Sequence, residues 1–215
     1  MDALEQYIHD NTSPEEDLLR ELDRETHLRM VQPRMISGHI QGQLLHLLTR
    51  LLRPHRALEI GTFTGYSALC IAAGLEETAH LDTIEVDDEQ QDFIQGFFDR
   101  SVQGAKITLH IGSALDVAPA LHQIYDLVFI DGDKREYPDY YHMIMGDQGG
   151  APLVKSGSVL LADNILWYGK VVEPILANDH HTQGIINFNR LVHEDPRVEN
   201  VILPIRDGLN LIRVK

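Results

Sequence analysis

Two short stretches carry side chains suited to chemistry: Phe129-Ile130-Asp131-Gly132-Asp133-Lys134 and Leu161-Ala162-Asp163-Asn164. Each puts an acid directly after an apolar run with strand character, and adjacent parallel strands lie about 5 Å apart. Asp131, Asp163 and Asn164 can therefore converge on one point. Two carboxylates and an amide carbonyl are hard oxygen donors suited to Mg²⁺, Ca²⁺ or Mn²⁺, with coordination positions left for water or substrate. The competing reading is that each acid only caps the helix after it. Two such sites, one with Asn beside it, favour a shared cation. No Cys/His grouping suggests zinc, and the neighbours His180 and His181 are expected to diverge in a hydrated loop.

A third stretch, Glu59-Ile60-Gly61-Thr62-Phe63-Thr64-Gly65-Tyr66-Ser67, reads as a strand running through a glycine turn into a helix. Glycine lets such a turn bend sharply and approach a ligand closely. A dinucleotide turn wants G-x-G-x-x-G so that a pyrophosphate sits on the helix N-terminus, but Phe63 replaces the second glycine. Glu59 before the turn would repel a phosphate and could hold a ligand bearing an ammonium group. The segment therefore favours S-adenosylmethionine over a dinucleotide. Glu85 stands 24 positions beyond Gly61, where an acid can accept hydrogen bonds from both hydroxyls of a ribose. Glu85 alone is compatible with either ligand, or with an exposed acid in the run Glu85-Val86-Asp87-Asp88-Glu89.

These residues need a frame that brings strand ends together. From Arg56 onward, short apolar runs (Ala57 to Ile60, Leu81 to Val86, Ile107 to Ile111, Leu127 to Ile130, Val159 to Ala162) alternate with helix-length segments. That pattern predicts β-α-β units and a parallel sheet covered on both faces. Val198 to Ile205 and Leu209 to Val214 are joined by Arg206-Asp207-Gly208, too short for a crossover, so this pair is expected to be an antiparallel hairpin. In such sheets ligands bind beyond the C-terminal strand ends. Ahead of the sheet, Ser13-Pro14-Glu15-Glu16 predicts a helix start running to about Met30, and the leucines of Ser37 to Leu52 predict a second amphipathic helix.

With 215 residues and 43% hydrophobic content, the chain suits a single α/β domain, a helical segment over 1–52 and a Rossmann-like core over 56–215. The net charge of −15 argues against nucleic acid or an anionic membrane surface as partner. No apolar stretch is long enough to span a membrane, and Met1 to Asp10 does not resemble a signal peptide, so a cytoplasmic location is expected. The lone Cys70 lies in an apolar run and reads as a core thiol.

Taken together, the motifs resemble the cation-dependent O-methyltransferase family, which includes catechol O-methyltransferases and the plant caffeoyl-CoA O-methyltransferases. The resemblance rests on Ala57 to Ser67, on Tyr125 to Lys134 with Tyr137 and Tyr140, on Ala162 to Gly169, and on Asp195 to Val198 through Asp207-Gly208. It covers residues 34–215. It implies the seven-stranded sheet of class I methyltransferases, S-adenosylmethionine as donor, and a divalent cation, most simply Mg²⁺, held by Asp131, Asp163 and Asn164. It further implies Lys134 as general base and a homodimer. Cofactor contacts would come from Ser37, Glu59, Gly61, Phe63, Ser67, Glu85, Ala114, Asp131, Asp133 and Tyr140.

The expected chemistry is methyl transfer to a hydroxyl of a small phenolic, catechol-like acceptor. A sulfonium methyl is already activated, so the protein must supply an oxygen nucleophile and alignment. Trp167 and Tyr168 could wall the acceptor pocket or lie in the core, and Met35 falls where the family has a substrate-side residue. Lys134 could instead pair with Asp133 or Glu136. The chain departs from the family at Ile40-Gln41-Gly42-Gln43, where an acid pair often precedes the Gly-Gln, and at Pro204, where animal catechol enzymes have an acid. A metal-independent methyltransferase, a nucleotide-dependent oxidoreductase and a non-catalytic interaction protein are the alternatives.

Overall fold

The computed structural model describes residues 3–215, so the first two positions of the expected N-terminal segment lie outside the described residues. Seven strands form one sheet: β1 (Arg56–Ile60), β2 (His80–Glu85), β3 (Ile107–Ile111), β4 (Tyr125–Ile130), β5 (Val154–Asp163), β6 (Val198–Leu203) and β7 (Leu209–Val214). Their order is β3-β2-β1-β4-β5-β7-β6. The first five run parallel, while β7 pairs antiparallel with β5 and β6. This is the expected α/β sheet with its C-terminal hairpin. The winding reverses at β1, whose neighbours are β2 and β4, and a crevice opens at their C-terminal ends.

Alternate residues of the central strands feed two apolar layers. Leu58, Ile60, Val128, Ile130 and Leu160 face α7 (Tyr137–Met145) and α8 (His180–Glu194), where Tyr137, Tyr141 and Phe188 are fully buried. Ala57, Leu81, Leu127, Phe129 and Leu161 face the other layer, filled from α2 (Asp17–Arg29), α3 (Gly38–Leu52), α4 (Tyr66–Gly74) and α5 (Gln91–Phe98). Leu22 of α2 and Leu45 of α3 are fully buried there, so the N-terminal helices cover one face of the sheet. The short helices α1 (Ala3–Asp10) and α6 (Ala114–Ala120) complete the set. Among the described residues no helix is long and apolar enough to cross a membrane.

Four expectations are corrected. The helix expected from Ser13-Pro14 starts at Asp17 with Glu16 as its cap, because the Ser13 carbonyl lies 2.7 Å from His39 Nε2 instead of opening the helix. Strand β5 begins at Val154 rather than Val159; the polar Lys155-Ser156-Gly157 forms an irregularity against Tyr125, closed by Ser158 Oγ donating to Tyr125 O. Strand β6 stops at Leu203 because Pro204 has no N–H to give a ladder. His180 and His181 do not sit in a loop: they open α8, where Asp179 accepts from the Thr182 amide at the cap.

Candidate active site

A cavity of about 680 Å³ opens at the C-terminal strand ends, bounded by the turns after β1, β2, β3, β4 and β5. The turn after β1 passes very close to β4. The Gly61 amide donates to Ile84 O, its φ is +95°, and a Cβ there would lie 2.5 Å from Asp131 O, so only glycine fits. Phe63 follows with a φ of +51° and donates its amide to Glu85 Oε2 at 2.6 Å. The other oxygen of Glu85 accepts from the Val86 and Asp87 amides. Three backbone donors thus aim one carboxylate at the cavity, and burial outweighs them to push its pKa up. Ala114 lies on the wall next to Glu85, at the start of α6.

Glu59, Ser37 and Ser67 are buried just behind that wall rather than on it. Glu59 is fully buried. Its Oε2 accepts from Thr83 Oγ1, while its Oε1 is buried and makes no hydrogen bond. Burial pushes its pKa up to about 8; the Ser67 and Thr83 hydroxyls pull the other way, and the charges of Asp131 and Glu85 add to the rise.

On the opposite side stand the acids after β4 and β5. Asp131 Oδ1 accepts from Lys134 Nζ at 2.6 Å, and the same ammonium reaches Gly132 O at 3.2 Å. Lys134 is buried and therefore pairs with Asp131, not with Asp133 or Glu136. Burial pushes Asp131 up to about 7, with the Lys134 charge opposing and that of Asp163 adding to the shift. Asp163 accepts from the Asn164 amide at Oδ1 and from Gln41 Nε2 at Oδ2, 2.6 Å away. Behind both acids, the Tyr137 hydroxyl lies 3.1 Å from Ile130 O and 3.0 Å from Asp163 O, spanning the ends of β4 and β5. Asn164 lines the cavity with a φ of +57°. Among the described residues no group of three His, Cys, Asp or Glu side chains gathers as a metal site.

Asp133 lies on the wall but is held by Arg135, whose guanidinium and amide keep its carboxyl below the usual range. Tyr140 is buried, lines the cavity and donates to Glu136. Trp167 and Tyr168 both line the cavity; Trp167 is partly buried and also packs against the core cluster, while Tyr168 is exposed. Trp167 stacks on His181, ring centroids 5.9 Å apart, and the Tyr168 amide donates to Asp207 Oδ1. Met35 is exposed at the same mouth. Wall or support residues that escaped the sequence reading include Gln41, Arg34, His181 and Arg206. Gln41 was visible only as a departure from the family pattern. Arg206 was hidden in a turn motif.

The chain matches the family model described as O-methyltransferase over residues 9–215. It is 30% identical to the caffeoyl-CoA O-methyltransferase of Petroselinum crispum over 99% of this chain and 90% of that protein. It is 31% identical to caffeoyl-CoA O-methyltransferase 2 of Petunia hybrida, with the same shares covered. Among solved structures, the SAH-bound Podospora anserina methyltransferase PaMTH1 superposes with a TM-score of 0.88 at 30% identity, covering 99% of this chain and 94% of that one. The O-methyltransferase TomG of Streptomyces achromogenes, in complex with SAM, gives 0.89 at 27% identity, with 100% and 96% covered.

Proposed function

The chain belongs to the O-methyltransferase family, and from that membership we propose that it moves a methyl group from S-adenosylmethionine to one hydroxyl of a small catechol-like acceptor, with a divalent cation held by Asp131, Asp163 and Asn164. The observation that carries this reading is the juxtaposition of two strand-end acids and a buried lysine across one cavity from Glu85.

The residues fit both groups. For the donor, the unpartnered Glu59 Oε1 suits the ammonium of its amino-acid part, and Glu85 suits the ribose hydroxyls. Gly61 lets the backbone approach, while Phe63 and Ala114 supply apolar surface beside the ring system. Ser37, Ser67, Asp133 and Tyr140 complete the contacts carried by the resemblance. For the cation, the donors are hard oxygens, and two neighbouring carboxylates in a partly buried place are eased by positive charge. The cation, when bound, makes ionisation of an acceptor hydroxyl cheaper. Lys134, which the resemblance makes the general base, donates as an ammonium to Asp131 and Gly132 O, so it would have to release one of its own protons to solvent before its amine could take that of the acceptor. Trp167, Tyr168 and Met35 flank the acceptor and exclude water from its ring.

The test is methyl transfer from labelled S-adenosylmethionine to a panel of catechols with Mg²⁺ or with EDTA. Transfer should need the diol and the cation, and alanine at both Asp131 and Asp163 should reduce it at least about 100-fold. Undiminished transfer in EDTA would favour a metal-independent enzyme of the same fold. A homodimer completes the reading, supported by exposed Leu4, Tyr7, Ile8, Leu28, Leu47 and Leu51 on the N-terminal helices.

A further inference from the structure

Arg206 lies in the turn between β6 and β7 and lines the cavity mouth. Arg206 is exposed, yet hydrogen bonds hold its head in one place. Nη1 donates to Ile36 O at 3.2 Å and to Gln41 Oε1 at 3.3 Å, and Nη2 donates to Ile36 O at 3.2 Å. A guanidinium has five N–H bonds. These contacts occupy both hydrogens of Nη1 and the inner hydrogen of Nη2. What remains is the Nε–H and the outer Nη2–H, which lie side by side on one edge and form the fork that matches two oxygens of a carboxylate. Among the described residues no acid comes within 4.0 Å of this head, although Asp131 and Asp207 feel its charge. In a chain with 33 acids against 18 lysines and arginines, this ordered fork at the cavity mouth has the geometry that matches an anionic ligand. Arg34, at the same mouth, also has no ion pair among the described residues, and adds to the positive potential.

The distance scale narrows the anion. Gln41 touches both Arg206 and Asp163: its Nε2 donates to Asp163 Oδ2 at 2.6 Å while its Oε1 accepts from Arg206. One amide group therefore links the guanidinium, through Nη1, to a side chain proposed to hold the cation, while the free fork occupies another edge of the same head. An acceptor whose diol sits at Asp131 and Asp163 would bring its own ring substituent to Arg206, not a charge at the far end of a long carrier. We propose that Arg206 is a specificity-determining residue that receives a carboxylate on the acceptor, so that the preferred substrates are catechols bearing an acid group. This rests on the diol reading above.

Caffeate, its neutral methyl ester and caffeoyl-CoA share one ring and differ only at the terminus, which makes them the probes. With S-adenosylmethionine and Mg²⁺, kcat/KM for caffeate should exceed that for methyl caffeate by at least about 10-fold. In Arg206→Ala that ratio should fall to near one. In Arg206→Lys, which keeps the charge without the fork, it should recover only partly. The ratio is the readout because loosening Ile36 and Gln41 would slow both probes alike and leave it unchanged; an unchanged ratio overturns the proposal. Equal rates for acid and ester in the wild type overturn it without any variant. An Arg206-dependent preference for caffeoyl-CoA over both others overturns it in favour of phosphate recognition. No transfer to any of the three defeats the diol reading itself, and this inference with it.

Discussion

At the scale of single residues, Glu59 makes the sharpest claim. Its carboxyl is pushed from an ordinary 4.5 up to about 8, so between those values the folded chain keeps a proton that the unfolded chain has released. Stability without ligand should therefore fall as pH rises from about 4.5 to about 8, and Glu59→Gln should flatten that part of the profile in thermal melts. If Glu59 Oε1 receives the donor's ammonium, binding expels the proton. Calorimetry at pH 7 in buffers of different ionisation heat should then show proton release for the wild type and none for Glu59→Gln, with affinity about 10- to 100-fold weaker. Equal proton release in the variant would remove Glu59 from the donor site. The sequence marked Glu59, Glu85, Asp131 and Asp163 because acids at strand ends are conspicuous. It could not reveal that Glu59 lies behind the wall, which depends on side-chain direction in a twisted sheet. It also could not reveal that Gln41, 122 positions from Asp163, would lean on that acid.

Among the elements, α8 shows how tightly the wall is assembled. Gly184 in this helix faces the loop after β4 so closely that a Cβ would sit 2.2 Å from Lys134 O and 3.0 Å from Arg135 Cα. Alanine would gain about 1 kcal/mol of helix propensity, but overpacking against backbone costs typically about 1–3 kcal/mol and displaces the lysine loop. Gly184→Ala should lower the denaturation midpoint and reduce methyl transfer more than donor binding. The five parallel strands and the hairpin were legible from apolar runs and a short turn. The early start of β5 was not, since Lys155-Ser156-Gly157 has no strand pattern and joins the sheet through a hydroxyl bond from Ser158. His181 was misjudged because its helix start depends on the Asp179 cap, and its stacking on Trp167 only arises once α8 docks.

For the molecule as a whole, the N-terminal helices are tied into the sheet layer. Leu22 is fully buried, Thr26 Oγ1 donates to Thr64 Oγ1 in the glycine turn, and the Tyr66 hydroxyl bonds Glu15. Leu22→Ala should cost about 3 kcal/mol while unfolding stays a single transition. Two transitions would show that the segment over 1–52 folds apart from the core, against the single-domain expectation. The Tyr137 hydroxyl, reaching the carbonyls at the tips of β4 and β5, acts at this scale as the pin of a caliper. It sets the jaw width where the ladder between the two strands ends, using core atoms alone. The mouth residues Met35, Trp167, Tyr168 and Arg206 hang on separate segments outside that pin. Substitutions among them should therefore leave the Tyr137 contacts, and with them the gap between the jaws, at the same gauge.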